Sequence, residues 1–338
     1  MKKRYIIGII LSIVFTYLAF RNVDLVIFFR VFKSIKYGYA VPIVFCTMGG
    51  FVFRAIRWKY LIKPVKVINI SKLFSSVMIG FMANNILPVR LGEIVRAYSI
   101  GKMENISKSS AFATIVIERV MDVFFMLFLF LLLLFGVTFP EELVKSTYYI
   151  LIFIFFVFIF LLFIMRKRDF VLNLIKKILS SFPEKISKRI QRVVDSFIKG
   201  LDFFHNTHHF IPIIFITVLM WFLYMGSYYF AFMAFDFFNE SYHEFLLAGV
   251  VLLVLSSIGL MIPSAPGAIG TFHYFCILGL IIASLNDNNQ AAAYAVFIHG
   301  INYISVTFVG LIFFLRENMR LSEMSLKDEK SYEKNDSN

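Results

Sequence analysis

The chain returns about eight times to an apolar run of membrane length, and this repetition decides the solvent in which it folds. A spanning helix needs roughly 20 mainly apolar residues. Lipid offers no partner to a backbone N–H or C=O, so only helices and closed barrels cross it. The runs cover residues 5–20, 39–53, 111–139, 148–165, 210–235, 245–262, 272–285 and 291–315. Hydrophobic residues make up 59% of the chain, 43 of 338 residues are Phe, and the mean hydropathy is +0.80, well above a soluble domain. The expected fold class is all-α, a polytopic membrane helix bundle of about eight transmembrane helices. Residues 1–315 are expected to form one integral membrane domain, and 316–338, alternating in charge, a disordered cytoplasmic tail.

A net charge of +13 would suggest nucleic acid in a soluble protein, but in a membrane chain Lys and Arg crowd the cytoplasmic loops, so no nucleic-acid partner is expected. Lys2, Lys3 and Arg4 precede the first run and no small-residue cleavage site follows it, which predicts a retained helix starting inside. Both termini then lie on the cytoplasmic side of the cell membrane. Residues 21–38 carry Arg21, Arg30, Lys33 and Lys36, too many for an outer loop, and their Val26, Ile27, Phe29, Phe32 and Ile35 suggest an interfacial helix; the sequence leaves its side open. Arg54, Arg57, Trp58, Lys59 and Tyr60 read as a membrane–water boundary opening a cytoplasmic loop. Residues 166–209 form a basic cytoplasmic linker, expected near anionic lipid. Ile186, Ile190, Val193, Val194, Phe197, Ile198 and Leu201 recur in it at helical spacing, predicting an amphipathic helix docked on the membrane or packed on the bundle.

Two interruptions carry the functional signal. Asn84, Asn85 and Pro88 break the apolar segment that starts at Leu73, and Arg90, Arg96, Lys102 and Lys108 follow. A full crossing would put those cations outside, so a re-entrant hairpin over 73–108 is expected, with spanning as the alternative. Pro263, Pro266, Gly267, Gly270 and Thr271 break a second apolar region. Pro88-x-x-x-Gly92 and Pro263-x-x-x-Gly267 echo one another, as in a two-fold internal repeat, and paired breaks point to a transporter site with these segments as its gate.

Beside the first break lie Arg90, Glu93 and Arg96, then Glu118, Arg119 and Asp122, at helical spacings of three and four that set each group on one face. A charge at the bilayer centre costs roughly 2.5–3.5 kcal/mol on insertion scales, so these groups should be paired or wet. They are either ion pairs holding two segments together or a site where arginine exchanges a carboxylate for a lipid phosphate. Asn84 and Asn85 join the candidate substrate site.

Other chemistry is thinly represented. Cys46 and Cys276 sit in apolar runs, and His205, His208 and His209 lie in a polar linker with no carboxylate or cysteine pattern of metal-ligand spacing, so neither disulfide nor metal is expected. His273 and His299 fall within membrane segments, as bundle histidines or proton-handling groups. No phosphate-binding glycine loop occurs, and no cofactor is expected.

The run Asn85-Ile86-Leu87-Pro88-Val89-Arg90-Leu91-Gly92-Glu93-Ile94-Val95-Arg96, then Glu118-Arg119-x-x-Asp122 and Pro266-Gly267-x-x-Gly270, resembles the lysylphosphatidylglycerol synthase transmembrane family, also called the flippase-like domain family. The resemblance runs over roughly residues 5–315. It implies an integral membrane domain with re-entrant segments that moves lipids, or lipid-linked intermediates, between leaflets. Where the family commonly has a second glycine and a glutamate in the late motif, this chain has Ala268 and His273. Lipid aminoacylation, which belongs to the family's soluble domain, is not expected, nor is enzymatic activity. The expected substrate is an anionic phospholipid or a polyprenyl phosphate. Two alternatives stand: a membrane enzyme acting on a lipid phosphate with Glu118 or Asp122 as general base, and a non-transporting scaffold holding a cell-envelope glycosyltransferase through 166–209.

Overall fold

The computed structural model describes residues 2–87, 91–179, 184–200, 210–237, 242–262, 264–283, 285 and 287–319, all of whose regular structure is helical. All eight apolar runs are helical: α1 (Lys2–Phe20), α3 (Ala40–Ile62), α6 (Lys108–Leu133), α7 (Glu141–Arg166), α10 (Phe210–Phe235), α11 (Tyr242–Met261), α12 (Thr271–Ile282) and α13 (Asn288–Arg316). Between them lie α2 (Leu25–Ser34), α4 (Ile70–Ile86), α5 (Gly92–Glu104), α8 (Arg168–Ile178) and α9 (Glu184–Gly200). The segments 37–62, 141–160, 210–235 and 288–316 are long and apolar enough to cross a bilayer. At 26 residues, about 39 Å long, α6 matches them in length but carries charge in its first half.

Local chemistry sets the ends. Asp24 caps α2 by accepting from the amides of Val26 and Ile27, Asn69 caps α4, and Ser107 caps α6. Asn105 closes α5 in a left-handed conformation (φ 50°) that asparagine tolerates. The chain turns 82° between α1 and α2, and Val26 and Phe29 of α2 face outward.

Helices α4 and α5 form a hairpin, their axes brought together where Gly80 meets Gly92; a Cβ on Gly92 would overlap the Gly80 carbonyl. At 17 and 13 residues, about 26 and 20 Å, neither helix matches the roughly 30 Å hydrocarbon core. A second hairpin pairs α11 with α12 around a 3₁₀ turn at Pro266–Ala268. Gly267 (φ 69°), Ala268 (φ 55°) and Gly270 (φ 91°) are all left-handed there. Helix α1 clasps this break: Ser12 Oγ donates to the Ile269 carbonyl (2.8 Å) and accepts from the Ala265 amide (2.9 Å).

The boundary expected at 54–60 is not a boundary. Helix α3 runs on to Ile62, burying Arg54, Arg57 and Trp58, because α10 packs along its whole length with Tyr224 laid over Gly50. The amphipathic linker divides: α9 packs on the foot of α6, where Ser109 and Ser110 donate to the Val193 and Ser196 carbonyls (2.7 and 2.6 Å).

Candidate functional site

Four arginines and three carboxylates converge where α3, α5 and α6 meet. On α6, the four-residue spacing of Glu118 and Asp122 places both toward α3. Arg54 Nη1 reaches Glu118 Oε1 at 2.6 Å and Asp122 Oδ2 at 2.8 Å, while Arg57 Nη2 reaches Asp122 Oδ1 at 2.6 Å. From α5, Arg96 grips Glu118 with two parallel hydrogen bonds of 2.9 and 2.8 Å. Its guanidinium lies 3.8 Å over the Trp58 ring, whose indole N–H donates to Thr114 Oγ1. These contacts form a sealed knot: the Arg57, Arg96 and Glu118 side chains are 0%, 1% and 0% exposed.

The other side of the cluster opens outward. Arg119 Nη2 lies 3.2 Å from Glu93 Oε1 and its Nη1 lies 3.6 Å from Asp122 Oδ2, with side-chain exposures of 30%, 19% and 12% for Arg119, Glu93 and Asp122. Asn84 bridges the edge to the hairpin tip, accepting from the Gly92 amide (2.7 Å) and directing its amide nitrogen at Glu93 (3.4 Å). Phe81 lies under both Arg54 and Arg119. Among these residues four guanidinium groups face three carboxylates, leaving one positive charge in excess. The Nε–H groups of Arg57, Arg96 and Arg119 are buried without an acceptor.

The two breaks meet. Asn85, next to Asn84, donates to Thr307 Oγ1 (2.9 Å) on α13 and accepts through its carbonyl from the Tyr303 hydroxyl (3.3 Å). The Tyr303 ring fills the space where a side chain at Gly267 would stand. Beyond it the His299 and His273 rings meet at a tilt of 34° with centroids 4.7 Å apart, and the Gly270 amide donates to His273 Nδ1 (3.4 Å). Thr271 opens α12 and bonds Ser264 (3.1 Å). A polar line thus runs from Arg119 through Asn84 and Asn85 to the second break.

Of the sequence-derived site residues, Asn84, Glu93, Arg96, Glu118, Arg119 and Asp122 come together; Asn85, Pro266, Gly267, Gly270, Thr271 and His273 lie along or around the second break. Pro88, Arg90 and Pro263 lie outside the described residues, as do His205, His208 and His209. Sequence reasoning missed Arg54 and Arg57, which supply half the cations. Their spacing of three, with apolar Ala55, Ile56, Leu61 and Ile62 around them, is the signal of a continuing buried helix face. No group of three or more potential metal ligands occurs among the described residues.

Comparison with known proteins covers most of the chain. The family model described as the lysylphosphatidylglycerol synthase TM region matches residues 5–310. A UPF0104 membrane protein of Methanothermobacter thermautotrophicus is 27% identical over 256 residues, 70% of this chain and 73% of that one. Two UPF0104 membrane proteins of Methanocaldococcus jannaschii are 26% identical over 276 residues (77% of this chain, 79% of the relative) and 28% over 238 (68% and 92%). No solved structure matches.

Proposed function

The chain belongs to the lysylphosphatidylglycerol synthase transmembrane family, and from that premise we propose that it moves an anionic lipid, a phospholipid or a polyprenyl-phosphate-linked carrier, between the leaflets of the cell membrane. The observation that carries this reading is a cluster inside a membrane bundle that holds one guanidinium more than its carboxylates and is partly exposed along one edge, at Arg119, Glu93 and Asp122. An uncompensated cation there is costly, and an anionic head group offsets it. In this account Arg119 grips the phosphate at the open edge, and Arg90, two residues before Gly92 in the sequence, is a second grip. Glu93 and Asp122 hold Arg119 until the head group replaces them. Arg54, Arg57, Arg96 and Glu118 form the scaffold that keeps the edge in place, and Asn84 and Asn85 line the path. The tails stay in hydrocarbon while the head group travels the polar line toward the second break, so the protein lowers the cost of desolvating it. The gate residues are Pro88 and Gly92 of the first sequence break and Pro263, Pro266, Gly267, Gly270, Thr271 and His273 of the second. The basic 166–209 segment and both termini face the cytoplasm.

A general-base role for Glu118 or Asp122 in lipid-phosphate chemistry is less well supported. Each carboxylate is already engaged by two or more guanidinium groups, which occupy the oxygens that a general base would need free. The test is reconstitution into vesicles with fluorescent lipids whose outer leaflet is bleached by a membrane-impermeant reductant. Anionic lipid should lose more than half its fluorescence in protein-containing vesicles and zwitterionic lipid should exchange more slowly. No exchange by correctly folded protein with either lipid contradicts the proposal.

A further inference from the structure

Helix α8 presents a surface that the bundle does not use. Helix α7 ends at Arg166, Lys167 leaves helical geometry (φ −114°, ψ 38°), and α8 starts at once. Its Leu179 end is buried and Val171, Leu172 and Ile175 are half-buried. Phe170, Leu174 and Ile178, four residues apart and so on one stripe, are 57%, 45% and 61% exposed. This stripe continues a surface that already faces lipid: the exposed Phe153, Phe156, Phe160 and Phe163 of α7 lead into it, and the Phe163 and Phe170 rings lie 6.3 Å apart. Residues 166–178 carry five basic side chains, Arg166, Lys167, Arg168, Lys176 and Lys177, against a single acid, Asp169.

We infer that α8 is a seat on an anionic lipid surface. Phe170, Leu174 and Ile178 enter the hydrocarbon edge of the leaflet at the Arg166 end of α7, and Arg166, Lys167, Lys176 and Lys177 lie among its phosphates. Two features choose this occupant. The apolar stripe is continuous with a membrane span, which fixes its depth at the boundary, and the charge beside it is complementary to acidic head groups. The seat also has a mechanical consequence. Helix α8 packs on α9, and α9 is hydrogen-bonded to the foot of α6, the helix that carries Glu118, Arg119 and Asp122. Lipid charge in that leaflet therefore acts on the level at which α6 stands, whether or not the same lipid is transported.

The test uses the full chain in vesicles, with a nitroxide on Leu174→Cys and, as control, on Asn173→Cys, an exposed position beside the stripe; Cys46 and Cys276 are buried and leave the background low. In vesicles containing an anionic phospholipid, the label at 174 should collide with oxygen several-fold more than with a water-soluble nickel chelate, and the label at 173 should show the reverse. In purely zwitterionic vesicles the oxygen preference at 174 should fall at least twofold. Equal behaviour of the two sites overturns the seat. An oxygen preference at 174 that ignores lipid charge overturns the anionic partner. Shielding of 174 from both reagents assigns the stripe to a protein contact instead. None of these readings depends on lipid exchange, so the inference stands or falls apart from the transport proposal.

Discussion

The two sides of the charged cluster draw on the same residue types and treat them oppositely. On the sealed side, Arg57, Arg96 and Glu118 are almost wholly removed from solvent, and Glu118 accepts from two helices at once. On the open side, Arg119, Glu93 and Asp122 meet at longer distances and remain partly exposed. Burial multiplies the cost of losing a partner, because a charge left alone in a dry site has nothing to replace it; an edge charge can turn to water or to a ligand. The sealed side is suited to hold α3, α5 and α6 together, and the open side to exchange partners. In the proposed function, solvation is what separates one cluster into scaffold and site.

Substitutions probe that division in decreasing order of effect. Glu118→Gln strands Arg96 in a dry site, leaves Arg54 with Asp122 alone, and should cost about 3–5 kcal/mol in detergent unfolding, enough to lower yield; wild-type stability would dissolve the distinction. Arg96→Lys loses one of two parallel hydrogen bonds and the stack on Trp58, so roughly 1–3 kcal/mol should disappear from the same unfolding curve. A different kind of strain is stored at the second break, where Ala268 holds φ 55°. Ala268→Gly should relieve about 1 kcal/mol and raise the unfolding midpoint, with lipid exchange slowed if that strain drives opening. At the bottom of the scale, Lys36→Gln removes an ion pair to Asp236 whose side chains are both more than half exposed, and thermal unfolding should not register it.

Much of this was legible in the sequence, for physical reasons. Long apolar runs in lipid satisfy their backbone as helices, so all eight emerged as helices, although α3 runs on to Ile62 rather than ending at 53 and α7 starts at Glu141 rather than at 148. The Arg96–Glu118 and Glu93–Arg119 pairs connect the two motifs whose spacing drew attention first. Arg54 and Arg57 escaped because a basic-aromatic group at the end of an apolar run has the same composition whether it meets head groups or turns inward. Only the neighbours decide, and Gly50 beneath Tyr224 lets α10 close over them. The clasp of Ser12 on the second break was equally hidden, since 253 residues separate Ser12 from Ala265 and a lone serine in an apolar helix carries no local signal. The linker's two options were both open from periodicity, and tertiary contact assigned α9 to the bundle while leaving the α8 stripe outward.

The division between scaffold and site is tested most directly by the leaflet-exchange rate of a labelled anionic lipid in vesicles containing Arg119→Gln. Arg119 belongs to the open edge, so the variant should keep its unfolding midpoint near that of the unaltered protein and exchange the lipid at least tenfold more slowly. An unchanged rate in a well-folded Arg119→Gln protein would contradict the account.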